Sequence, residues 1–283
     1  MDWRKGSRSN NVIVDSGGGG RRFGGGGKSI GTLVVLAIIG WIFFKNPMAL
    51  LDQSSVQSGA SEQGTPAQVD PEQKAFVETV LGSTEQTWGA IFAAKGLTYV
   101  DPKLDLFSGS VSTACGGATS AVGPFYCPSD QMVYLDVAFF QQLQDQLHSS
   151  GDFARAYVIA HEIGHHVQKL TGVFADVQRR QRAGEPMDGA TGLSVRQELQ
   201  ADCYAGVWAN HSEEALHWLQ PGDIESALNA ASHIGDDTLQ QQSQGQVRPD
   251  TFTHGTSAQR VKWFKTGFNS GDMDQCNTFA VAP

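Results

Sequence analysis

Residues 153–170 constrain this chain more than any other stretch. The runs Phe153-Ala154-Arg155-Ala156-Tyr157-Val158-Ile159-Ala160 and Val167-Gln168-Lys169-Leu170 bracket His161-Glu162-Ile163-Gly164-His165-His166. Apolar residues recur there at three- and four-residue intervals, the period of a helix with one buried face. His161 and His165, four apart, then stand one above the other. Two imidazoles so placed can ligate one Zn2+, and Glu162 beside them can take a proton from water at the metal. A catalytic zinc takes three protein ligands and keeps one position open. The fold must therefore bring a third ligand to this helix.

Candidates after the motif are Glu198, Asp202, His211, His217, His233 and His254. Residues 195–210 read as a second helix, with Ser194 and Gln197 spaced as a capping box. Glu198 and Asp202 lie four apart on it. Their neighbours Leu199, Ala201, Cys203, Tyr204, Ala205, Val207 and Trp208 are mostly apolar, so two acids there need a partner. Glu198 is the expected zinc ligand. Asp202, one turn on, is placed to accept from the free ring N–H of His161, which would fix that ring's tautomer. Asp152 is the expected cap of the motif helix. Val173 to Arg182 continues helically, and the Gly- and Pro-containing run 183–192 is a loop between the two ligand helices. His166 points about 100° away from His165 and reads as a buried, non-ligating residue.

Charge and composition divide the chain. The first 45 residues carry seven Lys/Arg against two Asp, a net +5, which leaves −14 on the remainder of a chain of net −9. Residues 1–28 are Gly-, Ser- and Arg-rich and read as a disordered basic cytoplasmic tail. Residues 29–45 hold an uncharged apolar run bracketed by Lys28 and Lys45, short for a spanning helix but extended by snorkelling lysines. They read as an uncleaved transmembrane signal anchor, since no small-residue cleavage site follows. Residues 46–70 form a linker, and 71–283 the folded domain. Positive charge before the anchor predicts a single-pass inner or plasma membrane protein, with a cytoplasmic N-terminus and an extracytoplasmic body. The acidic body argues against a nucleic-acid partner. Nothing in the sequence sets an oligomeric state. Four cysteines fit an oxidising compartment. They allow three connectivities, and the local pairing Cys115–Cys127, which leaves Cys203–Cys276, is the reading adopted.

His161-Glu162-Ile163-Gly164-His165-His166, the segment 193–209 around Glu198 and Asp202, and Phe252-Thr253-His254-Gly255-Thr256-Ser257-Ala258-Gln259-Arg260 resemble the bacterial neutral zinc metallopeptidase family. They are more distantly similar to membrane-associated gluzincins, in which a Pro stands where this chain has Gly255. The resemblance implies an α+β, mainly helical zincin-like domain with a small sheet. It implies a membrane-anchored endopeptidase acting on peptide or protein substrates with Zn2+ as cofactor. His254 becomes a candidate donor to the tetrahedral oxyanion. Arg260 becomes a second donor, or a clamp on a substrate carboxylate or on Asp202. The alternative for both is structural: His254 capping the following helix and Arg260 in an ion pair. Gluzincin architecture would make the strand-like run 131–136 an edge that binds extended peptide; the alternative is an ordinary core strand. The competing function is a catalytically inactive, zinc-stabilised adaptor at the membrane. An intact Glu162 favours the enzyme, because a purely structural site has no need of it.

Overall fold

The computed structural model describes residues 1–15, 67–141, 143 and 151–280. Its centre is the helix α2 (Asp152–Leu170), which carries the His-Glu motif. Around it stand α1 (Pro71–Ala94), α3 (Val173–Arg182), α4 (Leu193–Leu216), α5 (Asp223–His233), α6 (Asp236–Gln244) and α7 (Ser257–Ser270). The apolar period of α2 explains its position. Phe153, Tyr157, Ile163 and Val167 are fully buried, and Ile159 nearly so. Each such large apolar side chain contributes about 1.5–3 kcal/mol through burial. Phe153 stacks on Trp208 of α4, and Trp208 meets Trp218 edge-on. The two ligand helices are thereby locked side by side.

A four-stranded sheet covers one end of α2, in the order β1 (Val12–Val14), β2 (Lys103–Phe107), β6 (Met132–Asp136), β5 (Phe125–Cys127). β1, β2 and β6 run parallel, and β5 is antiparallel to β6. The period of two sorts the side chains. Leu104, Leu106, Val133 and Leu135 join the main core. On the opposite face Phe107, Phe125, Cys127 and Tyr134 close a smaller core with the hairpin β3 (Ser110–Thr113) and β4 (Gly116–Thr119). Cys115 in the hairpin turn is bonded to Cys127 of β5, and Cys203 of α4 to Cys276 near the chain's end. The body is mainly helical with small sheets.

Several sequence expectations change. Residues 1–15 are not a disordered tail: Val12–Val14 form β1, and Trp3 is buried against Phe76. Residues 16–28, the expected anchor 29–45 and the linker up to residue 66 lie outside the described residues. Among the described helices none is long and apolar enough to cross a membrane. The run 131–136 is not a sheet edge, because β6 lies between β2 and β5; β5 holds the edge instead. Asp152 does not cap α2, where Gly151 is the capping residue and accepts nothing through a side chain. Nor do Ser194 and Gln197 form a capping box. α4 begins at Leu193, and the carbonyls of Pro186 and Met187 take the N–H groups of Leu193 and Ser194. The folded loop does the work a cap would do.

Candidate metal centre and active site

α2 and α4 cross where Gly164 meets Ala201. A Cβ at residue 164 would lie 2.9 Å from the Ala201 carbonyl oxygen, so only glycine admits this approach. Ala201 stands three residues beyond Glu198, and the close crossing brings that carboxylate to the two imidazoles. Glu198 Oε2 lies 3.1 Å from His161 Nε2, and Oε1 lies 3.5 Å from His165 Nε2. One ligand atom from each of His161, His165 and Glu198 falls within 4.8 Å of the others.

Each ring is oriented from behind. Asp202 Oδ1 is 2.9 Å from His161 Nδ1. The side chain of Asp202 is fully buried, and its carboxyl, which burial alone would push up, is held at about 2 by Arg260 and His161. An ionised carboxylate only accepts, so Nδ1 donates and Nε2 is turned toward Glu198. Arg260 grips Asp202 with two donors, Nε to Oδ2 at 2.8 Å and Nη2 to Oδ1 at 2.9 Å. Its Nη1 donates to the Ile234 carbonyl, and Tyr157 adds a hydroxyl donor to Asp202 Oδ1. Of the roles open to Arg260, the geometry is that of a clamp on Asp202. His165 Nδ1 lies 2.9 Å from Gln168 Oε1, and the Gln168 amide nitrogen donates to the Gln197 carbonyl. Gln168 thus orients the second ring as Asp202 orients the first.

The charges in this cluster favour positive charge at its centre. Burial would raise Glu198, but His165 and His161 hold its carboxyl well below the usual range. Burial would strip protons from both rings. Asp202 and Glu198 instead raise His161 to about 10, and Glu198 raises His165. Two buried carboxylates therefore draw positive charge into the space between the two Nε2 atoms.

The open side of the cluster faces a cavity of about 190 Å³, with walls that are mostly apolar. Glu162 and His254 both line it. Burial pushes the Glu162 carboxyl up. His254 does not cap α7; Thr256 does, in a capping box with Gln259. Instead His254 is held by Asp236 at the start of α6. One Asp236 oxygen accepts the backbone N–H groups of Thr253, His254 and Gly255 at 2.7, 2.7 and 3.0 Å. The other lies 3.4 Å from His254 Nδ1. Burial would lower the ring's pKa, but Asp236 and Glu198 raise it. The remaining described histidines stand apart. His166 bridges the Tyr126 hydroxyl and the Val100 carbonyl, His211 meets the Gly271 carbonyl, and His233 the Asn229 carbonyl. His217 is exposed at the end of α4.

Residues 1–279 match the family described as "Putative neutral zinc metallopeptidase". The chain belongs to the neutral zinc metallopeptidase family. An Escherichia coli K12 relative, "Uncharacterized protein YpfJ", is 50% identical over 234 residues, 81% of each chain. A Mycobacterium bovis relative, "Uncharacterized protein Mb2605", is 46% identical over 217 residues, 73% of this chain and 72% of that one. No solved structure matches the chain. The zinc implied for a neutral zinc metallopeptidase fits this donor set. Two imidazoles and one carboxylate, each ring fixed through its other nitrogen, are the ligand chemistry of a catalytic zinc. Three further residues support the site: Gln168 and Tyr157, which escape a reading for motifs, and Asp236, whose pair Asp236-Asp237 the sequence offers as a hydrogen-bonding group near the site or as a cap of a helix or turn. The first two carry a weak signal, being polar groups on the buried face of α2 three and four residues from a ligand.

Proposed function

We propose that this chain is a zinc-dependent endopeptidase whose general base is Glu162. The observation that carries this reading is Glu162 beside the His161/His165/Glu198 cluster, at the wall of an apolar cavity. Zn2+ held by those three residues would lower the pKa of a water molecule and polarise the scissile carbonyl. Glu162 accepts the proton of the attacking water and delivers it to the departing amine. Its raised pKa suits both halves of that exchange. With Nδ1 donating to Asp236, it is the protonated form of His254, favoured by Asp236 and Glu198, whose Nε2–H can donate to the developing oxyanion. Asp202, Arg260, Tyr157 and Gln168 position the ligand rings. β5, the sheet edge bordering the cavity through Phe125 and Tyr126, is placed to receive substrate as an added strand. The two disulfides support a non-reducing compartment.

The cavity walls support a preference for apolar side chains beside the scissile bond. Val158 stands one turn before Glu162, and Phe139, Leu143, Ala230 and Ile234 join it. A large apolar side chain flanking the scissile bond removes this surface from water, whereas an acid there finds no partner. In a peptide library, cleavage should favour Leu, Met or Phe at one flanking position. Asp at that position should be cut at least about 100-fold more slowly. Ala230→Phe should shift the preference toward smaller residues. Equal cleavage of acidic and apolar members would overturn the assignment.

A further inference from the structure

Residues 1–15 end, and residue 67 begins, at one point of the fold. The Asp15 N–H donates to the Leu106 carbonyl at 3.0 Å, and the Asp15 carbonyl accepts from the Ala67 N–H at 3.1 Å. The fifteen residues before that point are bound along their whole length. Asp2 N–H donates to the Trp218 carbonyl and Ser9 N–H to the Glu78 carbonyl. Ser9 and Asn11 both donate to the Glu85 carboxylate. Val12, Ile13 and Val14 pair in register with Leu104, Asp105 and Leu106. The helix α1 is shaped for this contact. A Cβ at Gly82 would fall 2.4 Å from the Ser7 carbonyl oxygen. Glycine inside a helix costs about 0.5–1 kcal/mol relative to alanine, and here it makes room for the crossing chain.

We propose that residues 1–15 and the zinc-site body lie on the same side of any membrane. The apolar run 30–44 is then not a single crossing between them. Groups joined by a 3.1 Å hydrogen bond cannot be parted by a hydrocarbon layer about 30 Å thick. Strand exchange with a second copy does not restore the pairing, because every copy inserted the same way has its first residues on the far side. Of the seven basic residues that suggest a cytoplasmic N-terminus, the three within residues 1–15 have partners on the body. Arg4 pairs with Glu72 and Arg8 with Glu78, and Lys5 donates to the His217 carbonyl. Their charge is used in docking, so it is a poor guide to topology. Whatever number of times the chain crosses between residues 15 and 67, that number is even or zero.

Thiol accessibility in the full chain tests this directly. The four native cysteines are all in disulfides, so an introduced thiol is the reactive one. Asn10→Cys and Lys265→Cys place single thiols at exposed positions, one in the first fifteen residues and one on α7. Each variant, made in a bacterial host, is treated with a membrane-impermeant maleimide as intact spheroplasts and again after permeabilisation. Labelling in denaturant sets the full extent. The two thiols should behave alike: both labelled before permeabilisation, or both only after it. If one is labelled on intact spheroplasts and the other only after permeabilisation, the proposal is wrong and β1 does not occupy the sheet in cells.

Discussion

Replacing Glu162 with Gln should abolish peptide hydrolysis and leave the fold and zinc content unchanged. The amide keeps the shape of the carboxylate but cannot hold the proton of the attacking water. Loss of a positioned general base costs about 10²–10⁴ in rate, or roughly 3–5.5 kcal/mol of barrier. The effect belongs in kcat, since the cavity that binds substrate is unaltered. Stability should hold or rise. The Glu162 carboxyl is raised by burial, so its ionised form weakens the folded state above its ordinary pKa, and a neutral amide removes that cost. Turnover, zinc content and the unfolding midpoint of wild type and variant decide the matter. Wild-type turnover in Glu162→Gln would remove this residue from the chemistry.

The largest stability effect is expected at Arg260. Its exposure is 3% and that of Asp202 is 0%. Arg260→Met leaves a buried carboxylate without its counter-charge, a change that costs about 3–5 kcal/mol. The double variant Arg260→Met/Asp202→Leu removes both charges and should recover most of that loss. Zinc affinity should not recover with it. His161 would have lost the acceptor that turns Nε2 toward the metal, and such losses weaken binding about 10–100-fold. Denaturant unfolding and zinc competition titrations separate the two quantities. If Arg260→Met unfolds within about 1 kcal/mol of wild type, the clamp is not what holds Asp202 ionised.

The metal-binding half of the site was legible because helix geometry limits it. Site residues that share a helix face must be three or four apart, and His161/His165 and Glu198/Asp202 both obey that spacing. The supporting half was less legible. That Gln168 and Tyr157 face α4 follows from the crossing at Gly164 and Ala201, which spacing along one helix does not specify. Asp236 gathers three consecutive N–H groups of a turn seventeen to nineteen residues away, an arrangement with no local pattern. Whether 131–136 was an edge or a core strand stayed open in the sequence, because alternation marks β6 as a strand without naming its neighbours. Composition misled at the N-terminus. The glycines of residues 17–27 dominate the first 28 residues and hide Trp3 and Val12-Ile13-Val14, which are enough to dock.

The most direct test of the central claim is zinc-dependent cleavage of the apolar-flanked peptide library by the purified full chain. The protein is assayed as isolated, after chelation and dialysis, and after return of one equivalent of Zn2+; Glu198→Ala is carried through the same steps. The account predicts one zinc per wild-type chain, hydrolysis lost on chelation and restored by zinc, and neither stoichiometric zinc nor cleavage in Glu198→Ala. Stoichiometric zinc in wild type with no peptide cut under any condition would contradict it, and would make the chain a zinc-stabilised binding protein.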